Sequence, residues 1–230
     1  MTDRLEPAPR GWFITLEGPE GSGKTLVAAH VHDALVAQGR VVVLTREPGG
    51  TAVGDRVRAI LLDHAPDDPP IAPRADALLF AADRAQHVAE VIEPALARGE
   101  LVLCARYADS SLAYQGFAGG LPLEELGALQ AFATGGCWPD LTIVLDVPAE
   151  IGLARKQVDE QTRFEAAFDL SFHGRARDGF LALAAAEPAR FVVVDATAPL
   201  EKVVERTLGA ILDRLDQANE PARPALRIQS

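Results

Sequence analysis

Eight consecutive residues, Gly18, Pro19, Glu20, Gly21, Ser22, Gly23, Lys24 and Thr25, carry the clearest chemistry in the chain. They fit the pattern G-x-x-x-x-G-K-[ST], and they follow an apolar run and open a helical one, the context that pattern requires. Glycines let the backbone curl until successive N–H groups converge on phosphate oxygens. The helix start adds its positive dipole end, and Lys24 adds a full charge. The Thr25 hydroxyl is placed to hold Mg2+. The bland alternative is a glycine-rich turn that binds nothing. A phosphate loop fixes a nucleoside triphosphate site but not a reaction. A regulatory GTPase would need N-K-x-D, which does not occur here, and a motor ATPase would be longer. A short chain with an acceptor pocket points to a small-molecule kinase.

Short apolar runs at Trp12–Leu16, Val41–Thr45, Leu101–Cys104, Leu141–Asp146 and Phe191–Asp195 read as strands. They do not alternate, as expected of parallel strands covered on both faces. Helical spacing falls between them, at Lys24–Gln38, Arg74–Ala97, Leu123–Ala133, Glu165–Ala185 and Leu200–Leu215. The expectation is an α/β three-layer sandwich: a parallel sheet of five strands flanked by helices, in one domain over residues 11–216. Residues 1–10 and 217–230 read as flexible tails, and Ala65–Pro73 as an exposed connection. In such a sheet, ligands gather beyond the carboxyl ends of the strands. Three further polar segments sit there: Arg46 to Thr51, Arg106 to Gly116, and Asp195-Ala196. A fourth, Leu79 to His87, lies on the long central helix.

Composition narrows the partners. The chain has 230 residues, 48% hydrophobic, with 22 Lys+Arg against 33 Asp+Glu, a net charge of −11. That acidity argues against long polyanions, so neither nucleic acid nor an anionic membrane is expected as a partner. Cys104 and Cys137 have no metal-ligand spacing and read as reduced thiols. No run reaches membrane-spanning length, and the first ten residues lack the apolar core of a signal peptide, so a cytoplasmic protein is expected.

Four motifs, taken together in this order, give the chain a resemblance to the thymidylate kinase (dTMP kinase) family of P-loop nucleoside monophosphate kinases. They are F-I-x-x-E-G at Phe13–Gly18, R-E-P-G-G-T at Arg46–Thr51, A-D-R-A-Q-H at Ala82–His87 and S-S-x-A-Y-Q-G at Ser110–Gly116. The similarity runs from about Trp12 to Leu215. It implies transfer of the γ-phosphoryl group of ATP to dTMP with Mg2+, in a homodimer with a short lid at about 152–164. Phe80 is then expected to stack on thymine, with Arg84 one turn later donating to a base carbonyl. A core Phe beside an ion-paired surface Arg is the alternative for that pair. Arg106 is expected to hold the acceptor phosphate bidentately. The resemblance places Arg46, Glu47 and Pro48 near that phosphate and the metal, Ser111 and Gln115 at the base edge or sugar, and Tyr114 beside C2′. Glu20 matches the acid that accepts from the sugar 3′-OH, although a solvated loop acid would look the same. The resemblance implies that a member without a basic residue at the variable loop positions, here Pro19, Glu20 and Ser22, takes its transition-state cation from the lid, which makes Arg155, Lys156 and Arg163 the candidates. Basic residues on a solvated helix are the alternative reading. His87 and Asp146 read as structural.

Three departures from the family pattern stand out. The third strand runs into Cys104-Ala105-Arg106-Tyr107 where the family has Asp-Arg-Tyr, so the acid is missing. Thr162 stands before Arg163 where an acid is usual, and Asp55 replaces a usual Glu. Loss of the acid at 105 leaves two readings: a slower dTMP kinase, or a nucleotide-binding protein with impaired catalysis. A kinase of another pyrimidine nucleotide is the third.

Overall fold

The computed structural model describes residues 10–63, 69–155 and 169–219. Five strands, β1 (Phe13–Glu17), β2 (Val42–Arg46), β3 (Leu101–Ala105), β4 (Leu141–Asp146) and β5 (Phe191–Asp195), form one sheet in the order β2-β3-β1-β4-β5. Every pairing is parallel. Helices cover both faces. On one lie α1 (Lys24–Ala37) and, at the C-terminal end, α9 (Leu200–Asn219), whose Val27, Val31, Val203 and Ile211 pack on Ile14, Leu16 and Ile143. On the other lie α3 (Pro73–His87), a π-helical stretch Val88–Ile92 and α4 (Glu93–Ala97), with Ile92 and Leu96 against Phe13 and Val102. There too are α5 (Ala108–Ser111), the π-helical Leu112–Ala118, and α8 (Leu170–Ala186), whose Phe172 and Phe180 pack with Tyr114 and Val144. Helices α2 (Ala52–Leu62) and α6 (Leu123–Thr134) flank α3, and α7 (Ala149–Arg155) follows β4.

The apolar-throughout pattern has its physical basis in β1, β3 and β4. Consecutive side chains there enter opposite cores, so both faces must be apolar. In β1, Phe13 enters one core and Ile14 the other. The same expectation fails for β2 and β5, which form the sheet edges and are only partly buried, with Val41, Leu44 and Val193 exposed. The single helix expected over Arg74–Ala97 is a continuous rod, but with a π-helical insert. Pro94 has no N–H to return to Glu90, and the ladder widens just before it, with the Glu93 N–H donating to Val88 O, five residues back. Helix α2 is absent from the expected elements, and its start is set by Thr51, whose side chain accepts from the Gly54 N–H at 2.8 Å.

One buried polar chain fixes α5 to the sheet. Asp109 accepts from both Arg190 Nη1 (2.7 Å) and Nη2 (3.0 Å) and from Thr142 Oγ1 (3.2 Å), and Thr142 in turn contacts Thr15 (2.9 Å). Because α5 leads into the segment that carries Ser111, Tyr114 and Gln115, these bonds anchor the start of that segment to the sheet. The expected lid from Lys156 onward, with Thr162 and Arg163, lies outside the described residues. So do the segments 1–9 and 220–230 and residues 65–68 of the 65–73 connection.

Candidate active site

A cleft of about 880 Å3 opens beyond the carboxyl ends of β1, β2 and β3 and reaches the loop after β5. Its size suits two small ligands together. The phosphate loop forms its floor. Gly18 has φ 138°, and a Cβ there would lie 2.4 Å from Leu145 O, so the turn passes too close to β4 for any side chain. Gly23, with φ 86°, caps α1 in the left-handed region and delivers Lys24 to the first turn. The Lys24 Nζ donates to Gly18 O (2.9 Å), Pro19 O (2.7 Å) and Ser22 Oγ (3.0 Å), bracing the loop from within. Thr25 also lines the cleft.

The end of the cleft beyond β2 and β3 is built from three segments. At the end of β2, Arg46 pairs in register with Ala105 of β3. The following Glu47–Pro48 peptide is cis. Glu47 is buried, ion-paired to Arg84 Nη2 (2.8 Å) and hydrogen-bonded with His87 Nδ1 (2.9 Å), while His87 Nε2 shares a bond with Thr45 Oγ1 (2.7 Å). His87 thus is the structural hydrogen-bonder expected of it. Asp83 accepts from the Gly49 N–H at 2.8 Å and pins the same loop. Burial, and then the neighbouring Glu47 charge, push the Asp83 carboxyl up to about 7. Arg58 of α2 donates to Pro48 O (2.8 Å) and lines the cleft; burial and the nearby Arg46 and Arg106 lower its pKa. Arg46, Arg58 and Arg106 thus bring three guanidinium groups to one cleft, an arrangement chemically suited to an anion. Arg58 is missing from the sequence expectation, because a basic residue on an unanticipated helix carries no signal of its own.

Arg106 sits where β3 ends, in the left-handed region at φ 69°, with its N–H donating to Leu16 O (2.9 Å). A non-glycine residue there stores backbone strain, which collects at functional sites. Its guanidinium pairs with Glu20 and lies 5.2 Å over the Tyr114 ring. The Glu20 charge keeps that guanidinium firmly protonated despite its burial. The Tyr114 hydroxyl donates to the same Glu20 oxygen (3.3 Å). Glu20, Arg106 and Tyr114 therefore come together as one cluster.

Glu17, to which the sequence assigns no role, holds the following turn. It accepts from the Tyr107 N–H (2.7 Å), the Ser110 N–H (3.3 Å) and the Ser110 hydroxyl (2.6 Å). Burial, and then the charge of Asp109, push its carboxyl from 4.5 up to about 7. The folded state therefore holds this proton more tightly than the unfolded one. The stabilisation is complete below pH 4.5 and is lost as pH rises through about 7. Over that window it is worth up to about 3 kcal/mol. Asp83 acts with the same sign. Glu17→Gln has no proton to lose, and the Ser110 hydroxyl can turn to accept from the new amide. Its melting temperature should fall less than the wild type's between pH 5 and pH 8. An unaltered slope would remove Glu17 from the account.

Phe80, Ser111, Tyr114 and Gln115 line the same cleft. Arg84 shares its helix side with Phe80, but its guanidinium is 1% exposed and turned behind that wall. It donates to Ser111 Oγ (3.1 Å), Tyr107 O (2.9 Å) and Gln130, besides pairing with Glu47. Arg155, at the end of α7, donates to Ala196 O (2.9 Å) and reaches Thr197 O (3.5 Å). It borders the cleft, as do Ala198, Pro199 and Leu200. Asp146 takes a bidentate pair from Arg177 (2.7 and 2.9 Å), the structural role expected. Among the described residues no three His, Cys, Asp or Glu side chains group as a metal cage. Helices long and apolar enough to cross a membrane are likewise absent from them.

The chain is similar to known proteins over most of its length. The family model for thymidylate kinase matches residues 16–207. The thymidylate kinase of Deinococcus radiodurans is 51% identical over 206 residues, covering 89% of this chain and 98% of that protein. The thymidylate kinase of Nitratidesulfovibrio vulgaris is 49% identical over 220 residues, covering 92% and 100%. Among solved structures, the thymidylate kinase of Ehrlichia chaffeensis superposes with a TM-score of 0.70 at 30% identity, over 88% of this chain and 99% of that one.

Proposed function

The chain belongs to the thymidylate kinase family, and on that premise we propose that its cleft transfers the γ-phosphoryl group of ATP to dTMP, giving ADP and dTDP. One observation carries the reading. A phosphate loop and three convergent arginines, Arg46, Arg58 and Arg106, share a single cleft with the aromatic and amide wall of Phe80 and Gln115. The kinase domain spans residues 11–216, in a cytoplasmic protein. A coupled assay across dTMP, dUMP, dCMP and thymidine should give the highest kcat/KM with dTMP. Faster turnover of any of the other three would overturn the substrate assignment.

The residues suit the donor. Gly18, Gly21 and Gly23, all at positive φ, leave a side-chain-free cradle, and Lys24 heads α1 beneath it. Thr25 offers a hydroxyl for Mg2+, which when bound with ATP neutralises the β- and γ-phosphate oxygens. Lys24 moves from its loop carbonyls to the phosphates. Arg106, with Arg46 and Arg58, fixes the dTMP phosphate so that one of its oxygens attacks the γ-phosphorus in line, as the bond to the bridging oxygen breaks. Phe80 stacks on thymine, Tyr114 fills the space beside C2′, and Glu20 accepts from the 3′-OH. Ser111 and Gln115 meet the base edge. Glu47 and Pro48 shape the loop that presents Arg46, and Arg84 supports Ser111 and Glu47 from beneath. Arg155, tied to Ala196 and Thr197, suits the donor's nucleobase; Lys156 and Arg163 remain the transition-state candidates.

Ala105 favours a slow enzyme over an inert one. It stands in the cleft wall, paired in register with Leu16 on one side and Arg46 on the other, where a carboxylate would face the metal and the acceptor arginines. Because phosphoryl transfer is mostly positioning and charge, one lost anchor lowers the rate without abolishing it. Ala105→Asp should raise kcat by about fivefold. An unchanged kcat sinks the anchoring argument, and tight binding of dTMP and ATP with no dTDP formed would favour the inert alternative.

A dimer completes the proposal. Val53 and Ile60 of α2, Leu78 of α3 and Phe132 of α6 are exposed, Phe132 by 87%, and their helices pack side by side. Apolar exposure on adjacent helices marks an interface. Sedimentation should show a dimer at micromolar concentration; a monomer alone counts against it.

A further inference from the structure

None of the roles above uses Asp76. It sits near the start of α3, 7% exposed, and one of its carboxylate oxygens accepts from Gln115 Nε2 at 2.9 Å. Gln115 is equally buried and lines the cleft. A carboxylate only accepts, so the Gln115 amide must turn its NH2 group toward Asp76. The amide oxygen is then left for the other side of the group, and Gln115 lines the cleft. Phe80 stands one turn beyond Asp76 on the same side of α3, also in the cleft wall. A ring resting on Phe80 thus has its edge near the amide whose direction Asp76 decides.

From this we infer that Asp76 is a specificity-positioning residue: by locking the Gln115 amide with its oxygen toward the cleft, it makes the site read a hydrogen-bond donor on the nucleobase. Thymine and uracil carry N3–H, a donor. Cytosine has an unprotonated N3, an acceptor, and would meet the Gln115 oxygen lone pair to lone pair. A site built to receive a hydrogen bond rejects an analogue that cannot supply it, because its own polar group is left buried and unpaired. Free rotation of the amide would erase that distinction, since a flipped Gln115 offers NH2 and accepts cytosine. The direction is therefore set one residue away from the base. This rests on the reading of the cleft as a pyrimidine nucleotide site.

Asp76→Asn keeps the size but can present either an oxygen or an NH2 group, so Gln115 is released to flip. The variant should narrow the ratio of kcat/KM for dTMP over dCMP by about tenfold or more, mainly through KM, while the ratio for dTMP over dUMP stays as in the wild type. Both of those bases carry N3–H, so a merely loosened wall would move the second ratio as well. Gln115→Glu alone sets two carboxylates against each other and should lose most activity with dTMP. In the double variant Asp76→Asn/Gln115→Glu, the introduced amide donates its NH2 to one oxygen of the introduced carboxylate, and the other oxygen faces the base. That exchange keeps the net charge and should recover discrimination against dCMP. An unmoved dTMP/dCMP ratio in Asp76→Asn, or no recovery in the double variant at an unchanged melting temperature, overturns the inference with the kinase reading intact. Absence of dTMP turnover in the wild type would instead remove the reading beneath it.

Discussion

Arg106→Lys is expected to lower kcat/KM for dTMP by about a hundredfold, with KM for ATP nearly unchanged. The positive charge survives the exchange, so the loss isolates what the guanidinium does beyond carrying it. Arg106 lies over the Tyr114 ring, pairs with Glu20, and shares its end of the cleft with Arg46 and Arg58. A planar fork can give one edge to Glu20 and another to a phosphate at the same time. An ammonium is a point donor on a flexible stem and cannot hold both in a fixed plane. Losing one charged hydrogen bond costs about 1.5–3 kcal/mol, and the misplaced acceptor oxygen adds to it. The backbone points the same way. With φ 69° the position is strained for arginine and lysine alike, so the exchange brings no relief that could mask the effect. Steady-state kinetics with dTMP varied at saturating ATP, beside a melting curve, make the test. A change smaller than about threefold would place Arg106 outside the phosphate site.

Much of this architecture is legible in the residues. The phosphate loop could be read because its function is carried by backbone, and only glycine spacing permits that backbone. The three central strands could be read because burial on both faces forces unbroken apolar runs. What the sequence hides is partnership. Phe80 and Arg84 are one helical turn apart, yet one reaches the cleft and the other is drawn inward by Glu47, Ser111, Tyr107 and Gln130. Those four partners come from three separate segments of the chain, around 47, 107–111 and 130, so no spacing rule brings them together. Arg155 shows the same limit: its basic character reads well for a lid, but its bonds to Ala196 and Thr197 span more than forty residues. Glu17 and Asp83 stand inside motifs and Asp76 outside any, yet all three act on backbone or on other side chains instead of on a ligand, and spacing alone does not tell which group they hold. The puzzle of an acidic chain holding a polyanion has a local answer. The cleft gathers Lys24, Arg46, Arg58 and Arg106 with the positive end of α1, whereas the surplus acids lie elsewhere.

Gly152→Ala should reduce kcat/KM for ATP by about a hundredfold without unfolding the protein. Gly152 lies in α7, at the root of the expected lid, and its backbone rests directly on the phosphate loop. A Cβ at Gly152 would stand 2.1 Å from Glu20 O, and one at Gly21 would stand 1.8 Å from Gly152 O. Neither neighbour is a flexible side-chain tip, so the two backbones must part. Shifts of about 1 Å in the positioning of reactants cost about a hundredfold in rate. Here the displaced strand of loop carries both the phosphate cradle and Glu20, the partner of Arg106. Donor and acceptor ends are therefore disturbed together, and kcat and KM for ATP should both worsen. A methyl group alone does not explain such a loss. At Gly209, in the middle of α9, an added Cβ meets nothing within 4 Å. Gly209→Ala should raise stability by about 0.5–1 kcal/mol, because alanine loses less backbone freedom in a helix, and should leave kinetics alone. Equal kinetics for Gly152→Ala and the wild type would mean that the loop and α7 can separate freely, and that the contact between their glycines does not set the geometry of transfer.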